Sequence, residues 1–168
     1  MLHERLLLKA KFYGISGKLN NWLRAFFTGW GQRVVVNGSS SKWSPVLSGV
    51  PQGTVLGPSL FLLFVNDLLS SVSARVKLFA DDSVLYCHIE SSADHDKLQQ
   101  DLLQLEEWAA RWQMNFAPSK CYIMSITLKR QPSSFSCSRR CVTLPWGVTF
   151  QKYLGVYITN SLNWTKQL

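Results

Sequence analysis

One stretch constrains the fold more than any other. From about Asp94 to Met114 the apolar residues Leu98, Leu102, Leu105, Trp108, Ala109 and Trp112 recur at three- and four-residue steps. That spacing puts them on one face of an α-helix, and such a stripe must be buried against another layer. Asp94, Asp96, Asp101, Glu106 and Glu107 take its early and outer positions, and Asn115 with Pro118 ends it. The composition supplies the core this needs: 46% of residues are hydrophobic and 17% charged. A disordered chain would show the opposite balance.

The other elements follow from periodicity and punctuation. Leu2–Tyr13 reads as a helix with Leu6, Leu7 and Leu8 inward and Gly14 as its stop. Ser16 caps a second helix through Trp22, Leu23, Phe26 and Phe27, closed by Gly29. Gln32–Asn37 and Lys42–Leu47 read as paired strands around a Gly38–Ser41 turn. After the loop Ser48-Gly49-Val50-Pro51-Gln52-Gly53, Pro58 fits the first turn of a helix from about Ser59 to Ser71. Arg75–Ala80 and Ser83–Ile89 form a buried strand pair with Asp81-Asp82 at its tip. Tyr122–Leu128 and Lys152–Thr159 are strand-like, 129–147 is a polar loop or short hairpin, and Ser161–Leu168 begins a further element. Helices on one side of antiparallel strands make an α+β layered domain.

The N-terminal apolar run is too short for a signal peptide and is interrupted by Glu4 and Lys9. The most apolar run, Leu60–Val65, is far below the roughly 20 residues a spanning helix needs. A soluble intracellular chain without a membrane partner is expected. Cys87, Cys121, Cys137 and Cys141 are too few for a disulfide framework. Cys137 and Cys141 have no second Cys/His pair at metal-ligand spacing nearby, so ordinary thiols are expected rather than a zinc site.

The net charge of +8 is uneven. Residues 1–66 hold seven basic residues and one acid, 67–107 three basic and nine acidic, 108–168 eight basic and no acid. A generic basic surface accounts for this. So do two phosphate-binding walls around a carboxylate site.

Asp81-Asp82 carries the chemistry. Adjacent carboxylates inside Leu78-Phe79-Ala80-Asp81-Asp82-Ser83-Val84-Leu85 repel, and burial raises that cost. A hard divalent cation such as Mg²⁺ removes it, binding carboxylate and phosphate oxygens together. Two such ions can clamp both oxygens of a phosphoryl transfer. Taken alone, the pair is more simply a polar turn.

The wider pattern changes the balance. In order along the chain stand Ser48-Gly49-Val50-Pro51-Gln52-Gly53-Thr54-Val55-Leu56-Gly57-Pro58, Asn66-Asp67-Leu68, Phe79-Ala80-Asp81-Asp82, Asn115-Phe116-Ala117-Pro118-Ser119-Lys120-Cys121 and Lys152-Tyr153-Leu154-Gly155-Val156. From His3-Glu4 to Trp164 the chain resembles reverse transcriptases, RNA-directed DNA polymerases of non-LTR (LINE-type) retrotransposons of the CR1/jockey-like sort. The resemblance implies a partial polymerase palm over residues 1–150, with a primer-grip strand and the beginning of a thumb over 151–168.

It also implies roles. Asp81 is the principal metal-binding carboxylate with Asp82 beside it, and Mg²⁺ is the cofactor. Phe79 and Ala80 pack the hairpin under the primer end. Gly49, Pro51, Gln52 and Gly53 lie over the incoming deoxynucleotide and template; a backbone without Cβ there lets a base pair approach, and Gln52 offers donor and acceptor. Lys120 matches a lysine that neutralises or protonates the leaving pyrophosphate. Lys152, Tyr153, Leu154 and Gly155 grip the primer. RNA template, DNA primer and dNTP are the implied partners.

The family carries a further catalytic aspartate, in a D-F-x-K-A-F-D pattern upstream of the position matched by His3. Glu4 is the one acid before Asp67. The chain is therefore expected to be a fragment beginning after that motif, to bind Mg²⁺ weakly and to be inactive alone. A strand lost with that motif would leave a sheet edge open to a partner chain. The alternative reading is a non-catalytic nucleic-acid-binding or interaction remnant, in which Trp30 and Trp43, near turns, stack on bases. Trp108 and Trp112 are expected in the core.

Overall fold

The computed structural model describes residues 1–127 and 147–163. The expected loop over 129–147, apart from its last residue, lies outside the described residues, as do Cys137, Cys141 and the end of the segment expected to begin at Ser161.

Four α-helices build the core of the described residues. α1 (His3–Phe12) and α2 (Gly17–Phe27) form an antiparallel pair. α3 (Leu56–Val65) runs into a 3-10 stretch, Asn66–Ser71, and α4 (Ser92–Trp112) follows the central hairpin. α1 buries Leu6, Leu7 and Ala10, but Leu8 is 51% exposed, against the expectation. Successive helical residues are turned about 100° apart, so three consecutive leucines cannot share one face. The inward place one turn from Leu6 goes to Lys9. Ser16 stands at the N-cap of α2 but its side chain makes no capping bond.

α4 follows its apolar stripe, with Leu105, Trp108 and Ala109 buried and Leu102 and Trp112 packed beside them. Its start is fixed by Asp94, whose Oδ2 accepts the backbone N–H groups of Glu90 (3.1 Å) and Ser91 (3.0 Å) and the Ser91 hydroxyl (2.9 Å). The Ser91 N–H is a donor a helix start otherwise leaves unpaired. Phe64 of α3 is fully buried between Trp108 and Trp112, edge-on to both at 6.1 and 6.0 Å. Edge-to-face packing suits the ring quadrupoles, and burying one such ring contributes about 1.5–3 kcal/mol.

Among the described residues the strands form four antiparallel pairs rather than one sheet. β1 (Gly31–Gln32) pairs with β4 (Ser44–Pro45), and β2 (Val35–Val36) with β3 (Ser39–Ser40), making one interrupted ribbon exposed at every strand position. Its turn is Asn37-Gly38, not Gly38–Ser41. Both residues have positive φ, as a two-residue type I′ turn requires, and Ser39 and Ser40 pair back onto the valines. β5 (Arg75–Phe79) pairs with β6 (Asp82–Tyr86). The expected single strand over 152–159 is a hairpin, β7 (Phe150–Tyr153) and β8 (Val156–Thr159), turning at Leu154-Gly155. The expected strand at Tyr122–Leu128 does not form over its described residues. One hydrogen bond, from Val148 N–H to the Ile123 carbonyl (2.9 Å), ties that segment to the last hairpin. The α+β class holds, while the ladders belong to three local hairpins among the described residues. No helix among the described residues is long and apolar enough to cross a membrane.

Candidate active-site hairpin and template loop

The β5–β6 hairpin is not buried as expected. Register puts Val76, Leu78 and Leu85 on one face, and Leu78 and Leu85 pack on the helical core. The opposite face carries Arg75, Lys77, Phe79 and Asp82, and Phe79 is 61% exposed. The turn residues are Ala80-Asp81, so Asp82 begins β6 opposite Phe79. Ala80 has φ +50, a left-handed conformation that L-residues other than Asn and Asp seldom adopt. Both aspartates are exposed. Their mutual repulsion is therefore screened by water, and burial does not raise it.

Gly49, Pro51, Gln52 and Gly53 form a loop tied at both ends. Gly49 N–H donates to the Met1 carbonyl (2.8 Å), Leu2 bridges Ser48, and the His3 ring Nε2 bonds the Gly49 carbonyl (3.1 Å). His3 is itself stacked on Phe27 at 4.6 Å. At the other end Thr54 Oγ1 donates to the Pro51 carbonyl (2.8 Å) and accepts the Gly57 N–H (3.1 Å). Gly49 and Gly53 have φ of +87° and +78° with open space where a Cβ would stand. Left-handed backbone, not crowding, requires glycine at both. Gly57 is the reverse case: a Cβ would lie 3.0 Å from the Pro51 carbonyl oxygen.

Lys120 ends a 3-10 turn, Pro118–Lys120, and is exposed. Lys152 and Tyr153 lie in β7, with the Lys152 ammonium 5.5 Å from the Tyr157 ring centroid, and Leu154-Gly155 is the turn. Trp30 and Trp43 are exposed, and the Arg33 guanidinium sits 4.9 Å over the Trp43 ring. The predicted site residues thus fall on a loop, a hairpin tip, a 3-10 turn and a second hairpin.

Two buried charges escaped the sequence reading. Lys9 is 1% exposed. Its ammonium donates to the Phe64 carbonyl and to Asp67 Oδ1, and lies 4.1–4.6 Å from the ring centroids of Phe64, Trp108 and Trp112. Asp67 Oδ1 also accepts the Trp108 indole N–H (2.9 Å). Burial pulls the Lys9 pKa down, against the hydrogen bond and charge of Asp67, which raise it. Asp101, expected on the outer face of α4, is 2% exposed. Its Oδ1 accepts the Ser73 N–H (2.8 Å) and its Oδ2 the Ala74 N–H (2.7 Å), while the Ser73 hydroxyl reaches both oxygens at 3.1 and 3.0 Å. A faint signal existed for each: Lys9 is one turn from Leu6, and Asp101 is one turn from Leu98 and Leu105 on the stripe.

Hard carboxylate oxygens at the tip suit Mg²⁺ in kind. They number two residues, and no group of three or more His, Cys, Asp or Glu side chains that could hold a metal occurs among the described residues. Glu4 is engaged by Arg24 on α2. Burial, then the charges of Asp94 and Asp101, push the Cys87 thiol pKa up, away from a reactive thiolate.

The family model for reverse transcriptase (RNA-dependent DNA polymerase) matches residues 2–158. The chain is 29% identical to the RNA-directed DNA polymerase from mobile element jockey of Drosophila funebris, over 99% of this chain and 19% of that protein. It is 31% identical to the probable RNA-directed DNA polymerase from transposon X-element of Drosophila melanogaster, over 96% of this chain and 17% of that protein. The chain spans about a fifth of the length of these relatives. No solved structure matches it.

Proposed function

The chain belongs to the reverse transcriptase (RNA-dependent DNA polymerase) family, and from that membership we propose that it supplies the template loop and the metal-binding hairpin of a retrotransposon polymerase. The observation that carries this reading is the pairing of two devices in the family's order. One is a glycine loop pinned at both ends, and the other is a solvent-facing turn that presents Asp81 and Asp82.

Each residue has a task its position allows. The exposed outer face of β5–β6, which carries Arg75 and Lys77 as well as Asp82, offers cations to a nucleic-acid backbone and carboxylates to a metal. Asp81 and Asp82 would hold Mg²⁺, which supplies charge neutralisation at the phosphate oxygens of the transfer. Gly49 to Gly53 lie over the template and incoming dNTP, with Gln52 the hydrogen-bonding side chain. Exposed Lys120 neutralises the leaving pyrophosphate. Lys152–Gly155, at the turn of the last hairpin, hold the primer. Two adjacent carboxylates do not fix a cation in a rigid cage. The chain alone is therefore inactive and needs a further carboxylate from outside its described residues. A primer-extension assay on the purified chain, with RNA template, DNA primer, dNTPs and Mg²⁺, checks this. Extension that Asp81→Ala abolishes would overturn the inactivity.

A second reading, nucleic-acid binding without catalysis, is favoured by the exposed Trp30 and by the exposed Trp43 under the Arg33 guanidinium. Such binding should weaken steeply with salt. A flat salt dependence on primer–template removes it.

A further inference from the structure

Among the described residues, the hairpin that presents Asp81 and Asp82 has few partners that hold it in place. Leu78 and Leu85 pack its inner face on the core, a non-directional attachment. Its directional attachment is at the base, and α4 provides both halves. The exit side leads into the Asp94 cap described above, which is solvent-accessible. The entry side, Ser73-Ala74, is held by Asp101 two helical turns further along.

Asp101 differs from a surface acid in three respects. It is buried, no cation pairs with it among the described residues, and both its oxygens are occupied by main-chain N–H groups. A buried carboxylate is costly without such donors, and bonds from N–H groups to a charged oxygen are strong and short. The two amides belong to the residues immediately before β5. Their direction fixes where the strand leaves α4, and the register then carries that direction to the tip.

We propose that Asp101 is a positioning residue for the Asp81-Asp82 turn: it sets the departure of β5 from α4 and so the place at which the two carboxylates are offered. This rests on reading that turn as the metal site. It makes a residue outside every recognised motif part of the polymerase machinery, acting through the backbone of Ser73 and Ala74.

Two variants of the full chain test it. Asp101→Asn keeps the shape but replaces one acceptor oxygen by a donor. Asp101→Glu keeps the charge but displaces both oxygens by a methylene. Amide hydrogen exchange and Mn²⁺-induced broadening of the tip resonances are read for each. Both variants should speed exchange of Ser73, Ala74 and the β5–β6 ladder by about tenfold or more, the factor expected from one lost hydrogen bond to a charged group. Both should also weaken Mn²⁺ affinity at Ala80–Asp82, with α1 and α2 protection unchanged. Wild-type hairpin exchange in Asp101→Asn overturns the proposal. So does wild-type Mn²⁺ affinity in Asp101→Glu, which would mean that only charge matters. Loss of protection in α1 and α2 as well also overturns it, since Asp101 would then serve the whole core. A wild-type tip that shows no Mn²⁺ broadening counts against the polymerase reading. Exchange alone then decides the role of Asp101.

Discussion

The middle of the helical core and the tip of the β5–β6 hairpin both hold charge, and they handle it in opposite ways. Lys9 is taken out of water entirely, then surrounded by Asp67, a carbonyl oxygen and three aromatic faces. Asp81 and Asp82 are left exposed to water, with no ion pair to either among the described residues. A charge that serves the fold must have its partners built in. A charge that serves a ligand must keep its coordination positions open. On the proposed function, the contrast separates the part of the chain that specifies structure from the part that would bind a metal. It also gives them opposite expected responses to substitution.

The largest effect is expected at Lys9. Lys9→Ala leaves Asp67 partly buried without its ammonium and should cost about 3–5 kcal/mol of unfolding free energy in urea titration. Replacing the pair together, Lys9→Met with Asp67→Asn, should cost less than that single change. The pH dependence has a definite sign. With its folded pKa lowered from 10.5, Lys9 binds fewer protons folded than unfolded between those two values. Stability therefore rises with pH across that window and is lowest, for this site, below it. A Lys9→Ala chain as stable as the wild type would mean that the charge is not buried in solution.

Next comes the junction of loop and core. Gly57→Ala drives a Cβ against the Pro51 carbonyl and should cost about 1–3 kcal/mol, the usual range for overpacking. Thr54→Ala removes a bond at each side of that junction without adding volume. If Gly57→Ala is neutral by thermal melt, the loop is looser than its hydrogen bonds indicate.

These positions also show what a sequence can display. α4 was legible because its stripe depends on one period, which no tertiary contact needs to supply. The order of glycine loop, Asp-Asp turn and last hairpin was legible because family motifs are local strings. Lys9 and Asp101 were not. Whether a charged side chain points inward depends on partners far along the chain, Asp67 for one and Ser73-Ala74 for the other. The same cause misled the reading of the central hairpin. Apolar strand residues suggested burial on both faces, whereas register and packing cover one. The turns shifted by a residue, at Asn37-Gly38 and Ala80-Asp81, because backbone φ and not polarity decides which two residues make a two-residue turn.

A smaller effect is expected at the helix start. The Ser91 hydroxyl, then the Ser91 and Glu90 backbone N–H groups, hold the Asp94 pKa down from 3.8 to about 2. A carboxylate depressed in the folded state contributes fully above its unfolded pKa. That contribution is lost as pH falls from 3.8 through about 2. Helicity by circular dichroism should therefore decline across this acid window, and Asp94→Asn should flatten the decline. An unchanged acid profile in Asp94→Asn would assign the loss to other carboxylates.

The smallest effect on stability is expected at the site itself, and there the comparison is sharpest. Asp82→Asn changes an exposed side chain at the first position of β6. It breaks no side-chain hydrogen bond or ion pair among the described residues, so unfolding free energy should stay within about 0.5 kcal/mol of wild type. It relieves one of two adjacent like charges, so any shift should be toward greater stability, larger at low ionic strength. Mn²⁺ binding at the tip should nevertheless fall, because one of its two carboxylate residues is gone. A destabilised Asp82→Asn would show that the tip carboxylate supports the hairpin. The division between charges kept for the fold and charges kept for a ligand would then fail where it matters most.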